Sequence, residues 1–161
     1  MKKLTDYQNH QYYICFPVDD DFDDICGECE ENIVKPNLRI NNGTLNFNGL
    51  LYGSDILLIC KDNDKIVGYN SVVIKKNSLY INQIAVLPNY KKQGIGKKMM
   101  ECVIDISNKV GLPLCAHVRS YNEASLAMVK SLGFEKNEEF SNEKNYFFEL
   151  NTKINENKHH K

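Results

Sequence analysis

The chain has 161 residues, 42% of them apolar and 25% charged, enough to bury one ordinary core without a metal or disulfide framework. Its net charge of −1 excludes general nucleic-acid binding, so any basic patch has to be local. The longest apolar runs, such as 56–60, are too short to span a bilayer, and the N-terminus lacks a signal-peptide core, so a cytoplasmic protein without membrane or nucleic-acid partners is expected.

Residues 12–16 make a short β-type run that Pro17 closes. Asp19-Asp20-Asp21-Phe22-Asp23-Asp24 then supplies N-cap and first-turn acids for a helix with Phe22, Ile25, Cys29 and Ile33 on one side. The same acids could serve as a cation or amine site, but a solvated helix start that complements the dipole explains them as well. The six cysteines, Cys15, Cys26, Cys29, Cys60, Cys102 and Cys115, sit mostly in apolar runs and read as reduced core residues. Cys26-Gly27-Glu28-Cys29 has ligand-like spacing, yet no second pair completes a zinc set, so no metal is expected.

Residues 34–54 are polar and turn-rich, and read as a loop with room for a short helix. Strands at 56–60, 66–74 and 79–86, joined by turns at 62–64 and 75–78, predict an antiparallel meander. A helix from 94 to 110 carries Ile95, Met99, Cys102, Val103 and Ile106 at helical spacing, and Gly111 stops it. A strand at 114–118 turns through Arg119-Ser120-Tyr121-Asn122 into a helix over 123–132, with Gly133 as its stop. The last strand, 146–150, should pair near 134–140, and the polar tail 153–161 is expected to be disordered. The order predicts one mixed α/β (α+β) domain over 1–152, with a mostly antiparallel sheet of about seven strands and about four helices.

Chemistry concentrates between Ile84 and Met99. An apolar strand ends at Pro88, a basic loop follows, and Gly94 and Gly96 open a helix, with Lys91, Lys92, Lys97 and Lys98 crowded around them. Glycines at such a junction let backbone N–H groups meet an anion, and the helix dipole adds positive charge. A Walker A loop would need glycine where Lys91 stands and a hydroxyl where Lys98 stands. A dinucleotide fingerprint would need glycine in place of Met99. Both fail.

Lys91-Lys92-Gln93-Gly94-Ile95-Gly96 resembles the Arg/Gln-x-x-Gly-x-Gly/Ala pattern of the GNAT N-acetyltransferase superfamily, with Lys in place of the first residue. Ile84-Ala85-Val86-Leu87-Pro88-Asn89-Tyr90 is similar to its strand-4 run, and Asn122 through Phe134 to its N-x-x-A-x-x-x-Y-x-x-x-G-F segment. The resemblance implies the acyl-CoA N-acyltransferase fold and an acetyl-CoA co-substrate. Its pyrophosphate would lie on Lys91, Lys92, Gln93, Gly94, Ile95, Gly96 and Lys97, its pantetheine along Ile84, Ala85 and Val86, with Asn122 assisting. It also makes a homodimer an expectation to test.

By the same resemblance, the acetyl group passes directly to an amine in a ternary complex, with the Val86 N–H as oxyanion donor. Where many members carry a strand-4 carboxylate base, this chain has Asn82-Gln83, and amides do not accept protons at neutral pH. The segment from Leu114 to Asn122 is similar to the V-R-x-x-N stretch of ribosomal-protein alanine N-acetyltransferases, and His117 occupies the position of their glutamate base. A histidine suits that proton transfer. The family's acid tyrosine is replaced by Val129, leaving Tyr121, Tyr146 or water to protonate the thiolate. A primary amine of a small molecule or peptide is the expected acceptor. The alternative is an acyl-CoA-binding module that has lost the chemistry.

Overall fold

The structure, a computed structural model, describes residues 1–36 and 51–152. Its strands are β1 (Lys2–Tyr7), β2 (His10–Cys15), β3 (Ile56–Asp62), β4 (Lys65–Ile74), β5 (Leu79–Val86), β6 (Leu114–Arg119), β7 (Glu135–Asn137) and β8 (Asn145–Leu150). Its helices are α1 (Phe22–Cys29), α2 (Ile95–Val110) and α3 (Glu123–Ser131). The strands form one mostly antiparallel sheet in the order β1-β2-β3-β4-β5-β6-β8-β7, the mixed α/β architecture the sequence predicts. No helix among the described residues is long and apolar enough to cross a membrane.

Among the described residues there are eight strands and three helices, against about seven and about four expected. The added strand is β1, whose side chains are nearly all exposed, so it lacks the apolar alternation that announces a strand. It pairs with β2 through a two-residue turn, Gln8-Asn9, with both φ positive at 48° and 68°. That is the geometry of a type I′ hairpin, usually signalled by Asn-Gly rather than Gln-Asn. The short helix expected within 34–54 falls largely outside the described residues, as does the tail 153–161. The helix expected to carry Phe22, Ile25, Cys29 and Ile33 runs past Cys29 as a π-helix, Glu30–Val34.

The chain groups into two compact units. The first holds residues 1–73 and 82–100. Here β2 pairs with β3 and β3 with β4, both antiparallel. The Ile56–Cys60 stretch of β3 is buried at every position because both its faces are covered, which explains its unbroken apolar run. One cluster packs α1 and the π-helix (Phe22, Ile25, Cys29, Ile33) on Leu57, Ile59 and Tyr69. The other packs the start of α2, Ile95 and Met99, on Tyr12, Cys60 and Val67.

The second unit holds residues 74–81 and 101–161. In it Leu79, Tyr80 and Ile81 of β5 pair parallel with Leu114, Cys115 and Ala116 of β6. β6 pairs antiparallel with β8, and β8 with β7, the final pairing that the sequence suggests. Gly111 (φ 74°) closes α2, and Gly133 (φ 91°) closes α3, both in the left-handed region that glycine enters without strain.

Candidate active site

In the first unit, β5 leads through Leu87 and a single 3-10 turn, Pro88–Tyr90, into the basic loop. The turn is tied down at both ends. The Leu87 N–H donates to Val67 O at 2.8 Å, and the Tyr90 hydroxyl donates to Asp62 Oδ2 at 2.7 Å. Lys92 and Gly94 then take positive φ values of 64° and 79°. The Lys98 N–H donates to Gly94 O at 2.9 Å, the first i→i−4 bond of α2. The N–H groups of Ile95, Gly96 and Lys97 therefore have no acceptor inside the helix, and the dipole adds positive charge beside them. Lys91, Lys92, Gln93, Gly94 and Lys97 are exposed around this end. Ile95 is buried, so it can offer a ligand only its backbone.

Gly68 on β4 underlies this end of α2, and sequence reasoning passed over it. A Cβ there would lie 3.3 Å from Ala85 O and from Met99 Cε, and 3.4 Å from Ile95 Cγ2. The bare backbone lets the helix start settle against the strands. The available signal was a glycine inside an otherwise apolar strand pattern, which marks a close approach.

Successive N–H groups of an extended strand point to opposite edges. Because Leu87 donates to β4, the Val86 N–H points to the other edge. The ladder between β5 and β6 stops at Ile81, five residues before β5 ends, so Val86 lies beyond it. Ile84, Ala85 and Val86 are each only partly buried.

In the second unit, the Tyr80 hydroxyl lies 2.8 Å from His117 Nδ1. His117 is exposed, stands opposite Phe147 in the β6–β8 ladder, and its ring is tilted against that of Phe147 with centroids 4.9 Å apart. Burial raises the Tyr80 phenol above its ordinary range and the Cys115 thiolate would add to that, so Tyr80 stays protonated at neutral pH. A neutral phenol can hold one imidazole nitrogen while the other is left to exchange protons. Sequence reasoning named His117 but missed Tyr80, which lies 37 residues away and meets it only because β5 and β6 are neighbours.

The other candidates are placed differently. Tyr121 is 77% exposed, and among the described residues its hydroxyl has no partner. Tyr146 is covered by Lys136, whose Nζ is 3.7 Å from the ring centroid. Val129 is buried in the core. Asn122 caps α3, its Oδ1 accepting from Ser125 N at 3.1 Å, which leaves its amide N–H groups for other acceptors.

The Asp cluster does more than start a helix. Asp21 stands at the N-cap of α1 but makes no side-chain cap bond. Its Oδ1 instead accepts from the Met1 ammonium at 3.0 Å, which holds its carboxyl below the usual range. None of the six cysteines is in a disulfide, and all are buried. Burial pushes the Cys26 thiol up to about 12, and the Cys29 thiol well above its ordinary range, the reverse of what a redox or metal-binding pair needs.

With this geometry in place, the chain can be compared with known proteins. Residues 35–134 match the model of the Acetyltransferase (GNAT) family. The [Ribosomal protein bS18]-alanine N-acetyltransferase of Escherichia coli K12 is 36% identical over 77 residues, which are 46% of this chain and 51% of that protein. The chain thus spans about half the length of the curated relatives it matches. The crystal structure of the Escherichia coli ribosomal-protein-S18-alanine N-acetyltransferase superposes with a TM-score of 0.64 at 19% identity, covering 87% of this chain and 93% of that one. An acetyltransferase of Salmonella typhimurium, solved with its cofactor acetyl-CoA, gives 0.63 at 17% identity, covering 89% and 94%. At those identities the superpositions speak for the fold, and the family match speaks for kinship. The chain belongs to the GNAT acetyltransferase family.

Proposed function

We propose that this chain is an N-acetyltransferase that moves the acetyl group of acetyl-CoA directly to a primary amine. The single observation that carries the catalytic reading is the contact between the Tyr80 hydroxyl and His117 Nδ1. A module that only binds acyl-CoA has no use for an exposed imidazole oriented by a protonated phenol. Support for the co-substrate comes from the run of Lys91, Lys92, Gln93, Gly94, Ile95, Gly96 and Lys97 at a helix start whose first N–H groups have no acceptor within the helix. It also comes from the related fold solved with acetyl-CoA.

The likeness to the family's motifs supports the following division of roles. His117 takes a proton from the acceptor ammonium, directly or through water, and the free amine nitrogen then bonds to the thioester carbon. The Val86 N–H, aimed away from β4, donates to the developing oxyanion. As the tetrahedral carbon collapses, the C–S bond breaks, the attacking nitrogen loses its second proton to water, and Tyr121 is assigned the proton that neutralises the thiolate, regaining its own from solvent. Ile84 and Ala85 line the pantetheine, and the amide of Asn122 donates to the same arm. Nothing in this sequence of steps calls for a metal. Six cysteines outside any disulfide suit a reducing, cytoplasmic setting.

The test is release of CoA over a panel of primary amines. Turnover that collapses in His117→Ala, while acetyl-CoA still raises the melting temperature, supports the assignment. Stabilisation by acetyl-CoA without CoA release from any amine would overturn it in favour of a binding module.

A further inference from the structure

Lys92 holds a φ of 64° inside the basic loop. Among the described residues, the other non-glycine residues with positive φ all sit in hairpin turns, Gln8 and Asn9 between β1 and β2, and Asn63 between β3 and β4. Lys92 has no hairpin to explain it. A residue with a Cβ stays in the left-handed region only where its surroundings impose that shape, and such residues gather at ligand sites.

The surroundings act from both flanks of the loop. On the N-terminal side, Tyr90 closes the 3-10 turn that leads into it. The Tyr90 hydroxyl donates to Asp62 Oδ2, at the end of β3, at 2.7 Å. Its ring meets that of His10 on β2 edge-on, with centroids 6.0 Å apart, and Lys65 Nζ on β4 lies 5.7 Å from its centroid. Residues of three strands thus hold one side chain. On the C-terminal side, Ile95 is buried in the cluster that includes Tyr12, and Lys98 Nζ lies 4.9 Å from the centroid of the Tyr7 ring. Tyr7 and His10 are partners in the β1–β2 ladder, so one hairpin end serves both flanks. Both precede residues 35–134, the stretch that matches the family model.

We propose that Tyr90, through Asp62, and Tyr7, through Lys98, are positioning residues for the co-substrate, holding the loop around Lys92 in its phosphate-binding shape before the pyrophosphate arrives. They act through the loop rather than on the reacting atoms. A loop held in advance loses little freedom on binding, and the gain in affinity falls on the part of the co-substrate that carries the phosphates. This rests on the reading of the loop as the acetyl-CoA cradle.

The test on the full chain is calorimetric titration of CoA, joined to kinetics with acetyl-CoA and with S-acetylpantetheine, which lacks the pyrophosphate. Tyr90→Phe and Asp62→Ala should each raise the Kd of CoA and the KM of acetyl-CoA by about threefold to tenfold, the range of one lost hydrogen bond, with kcat unchanged. The double variant should be no weaker than either single one, because both remove the same bond. Asp62→Asn keeps an acceptor oxygen and should restore most of the affinity. Tyr7→Leu should weaken CoA by about twofold to fivefold, whereas Tyr7→Phe keeps the ring face and should bind as the wild type does. The KM of S-acetylpantetheine should stay constant throughout. Equal losses with both co-substrates would assign these residues to the fold at large and overturn the proposal. Unchanged CoA affinity in Tyr90→Phe and Asp62→Ala overturns it too, while leaving the cradle standing. A wild type that fails to bind CoA overturns the cradle, and the proposal with it. Where no amine releases CoA, the pattern of Kd values decides alone.

Discussion

Tyr80 on β5 and His117 on β6 meet through a 2.8 Å contact between the phenol oxygen and Nδ1, with the ring of Phe147 tilted against the same imidazole. The two residues fix the ring from different directions, so it presents its remaining nitrogen in one orientation. Positioned acid–base groups are worth about 10²–10⁴ in rate. His117→Ala should therefore lower kcat about a hundredfold or more, with the acetyl-CoA-induced rise in melting temperature retained. Tyr80→Phe should lose about tenfold in kcat, because it removes an orienting hydrogen bond and leaves the base. A Tyr80→Phe enzyme as fast as wild type would show that the contact is structural only.

The departing thiolate offers a separate test. Tyr121 is exposed and unheld, so Tyr121→Phe should leave folding and acetyl-CoA binding unchanged. If it is the acid, kcat falls by about tenfold to a hundredfold, at the low end of general acid catalysis. A steady kcat in Tyr121→Phe assigns that proton to water.

The thiols make a prediction about alkaline pH. Burial raises Cys15 and Cys26 from an ordinary value of 9.0 to about 12 in the folded chain. Between those values the unfolded chain releases thiol protons that the folded chain keeps, so stability falls as pH rises. The contribution is complete below pH 9 and is lost on the way to about 12. Melting temperature should decline above pH 9, less steeply in Cys15→Ala/Cys26→Ala, and a thiol reagent at pH 8 should label the native chain slowly. Rapid native labelling at pH 8 would contradict the buried, protonated thiols.

What the sequence revealed and what it hid divide along physical lines. The helix from Ile95 to Val110 was legible because apolar residues recur at its own period and Gly111 ends it. The turn from Lys91 to Gly96 was legible because glycines announce left-handed backbone, which the chain adopts at Lys92 and Gly94. β1 was hidden, since an exposed edge strand owes its existence to pairing with β2 rather than to a buried face. Tyr80 was hidden for a related reason. Its partner comes from another strand, and a tyrosine in a strand pattern reads as ordinary β-propensity. Asp21 was misjudged in detail, because its position at the N-cap was right while its carboxylate turned to the Met1 ammonium. Local patterns expose local geometry, and pairings across the sheet need the fold.

The cradle itself is best tested at two glycines that serve different ends. Gly94 has a φ of 79° and open space where a Cβ would stand, so Gly94→Ala meets strain in the backbone but no clash. That strain should cost about 1 kcal/mol of stability, with acetyl-CoA still bound. Gly94→Glu puts a carboxylate among the phosphates and should abolish stabilisation by acetyl-CoA at low salt. Gly68 is the reverse case, since its φ is ordinary while Ala85 O, Met99 and Ile95 press on it. Gly68→Val should cost about 1–3 kcal/mol by overpacking, and weaken acetyl-CoA binding because the start of α2 must lift. Denaturant unfolding with isothermal titration on the three variants resolves the two roles. If Gly68→Val binds acetyl-CoA as the wild type does, the helix start does not hold the pyrophosphate.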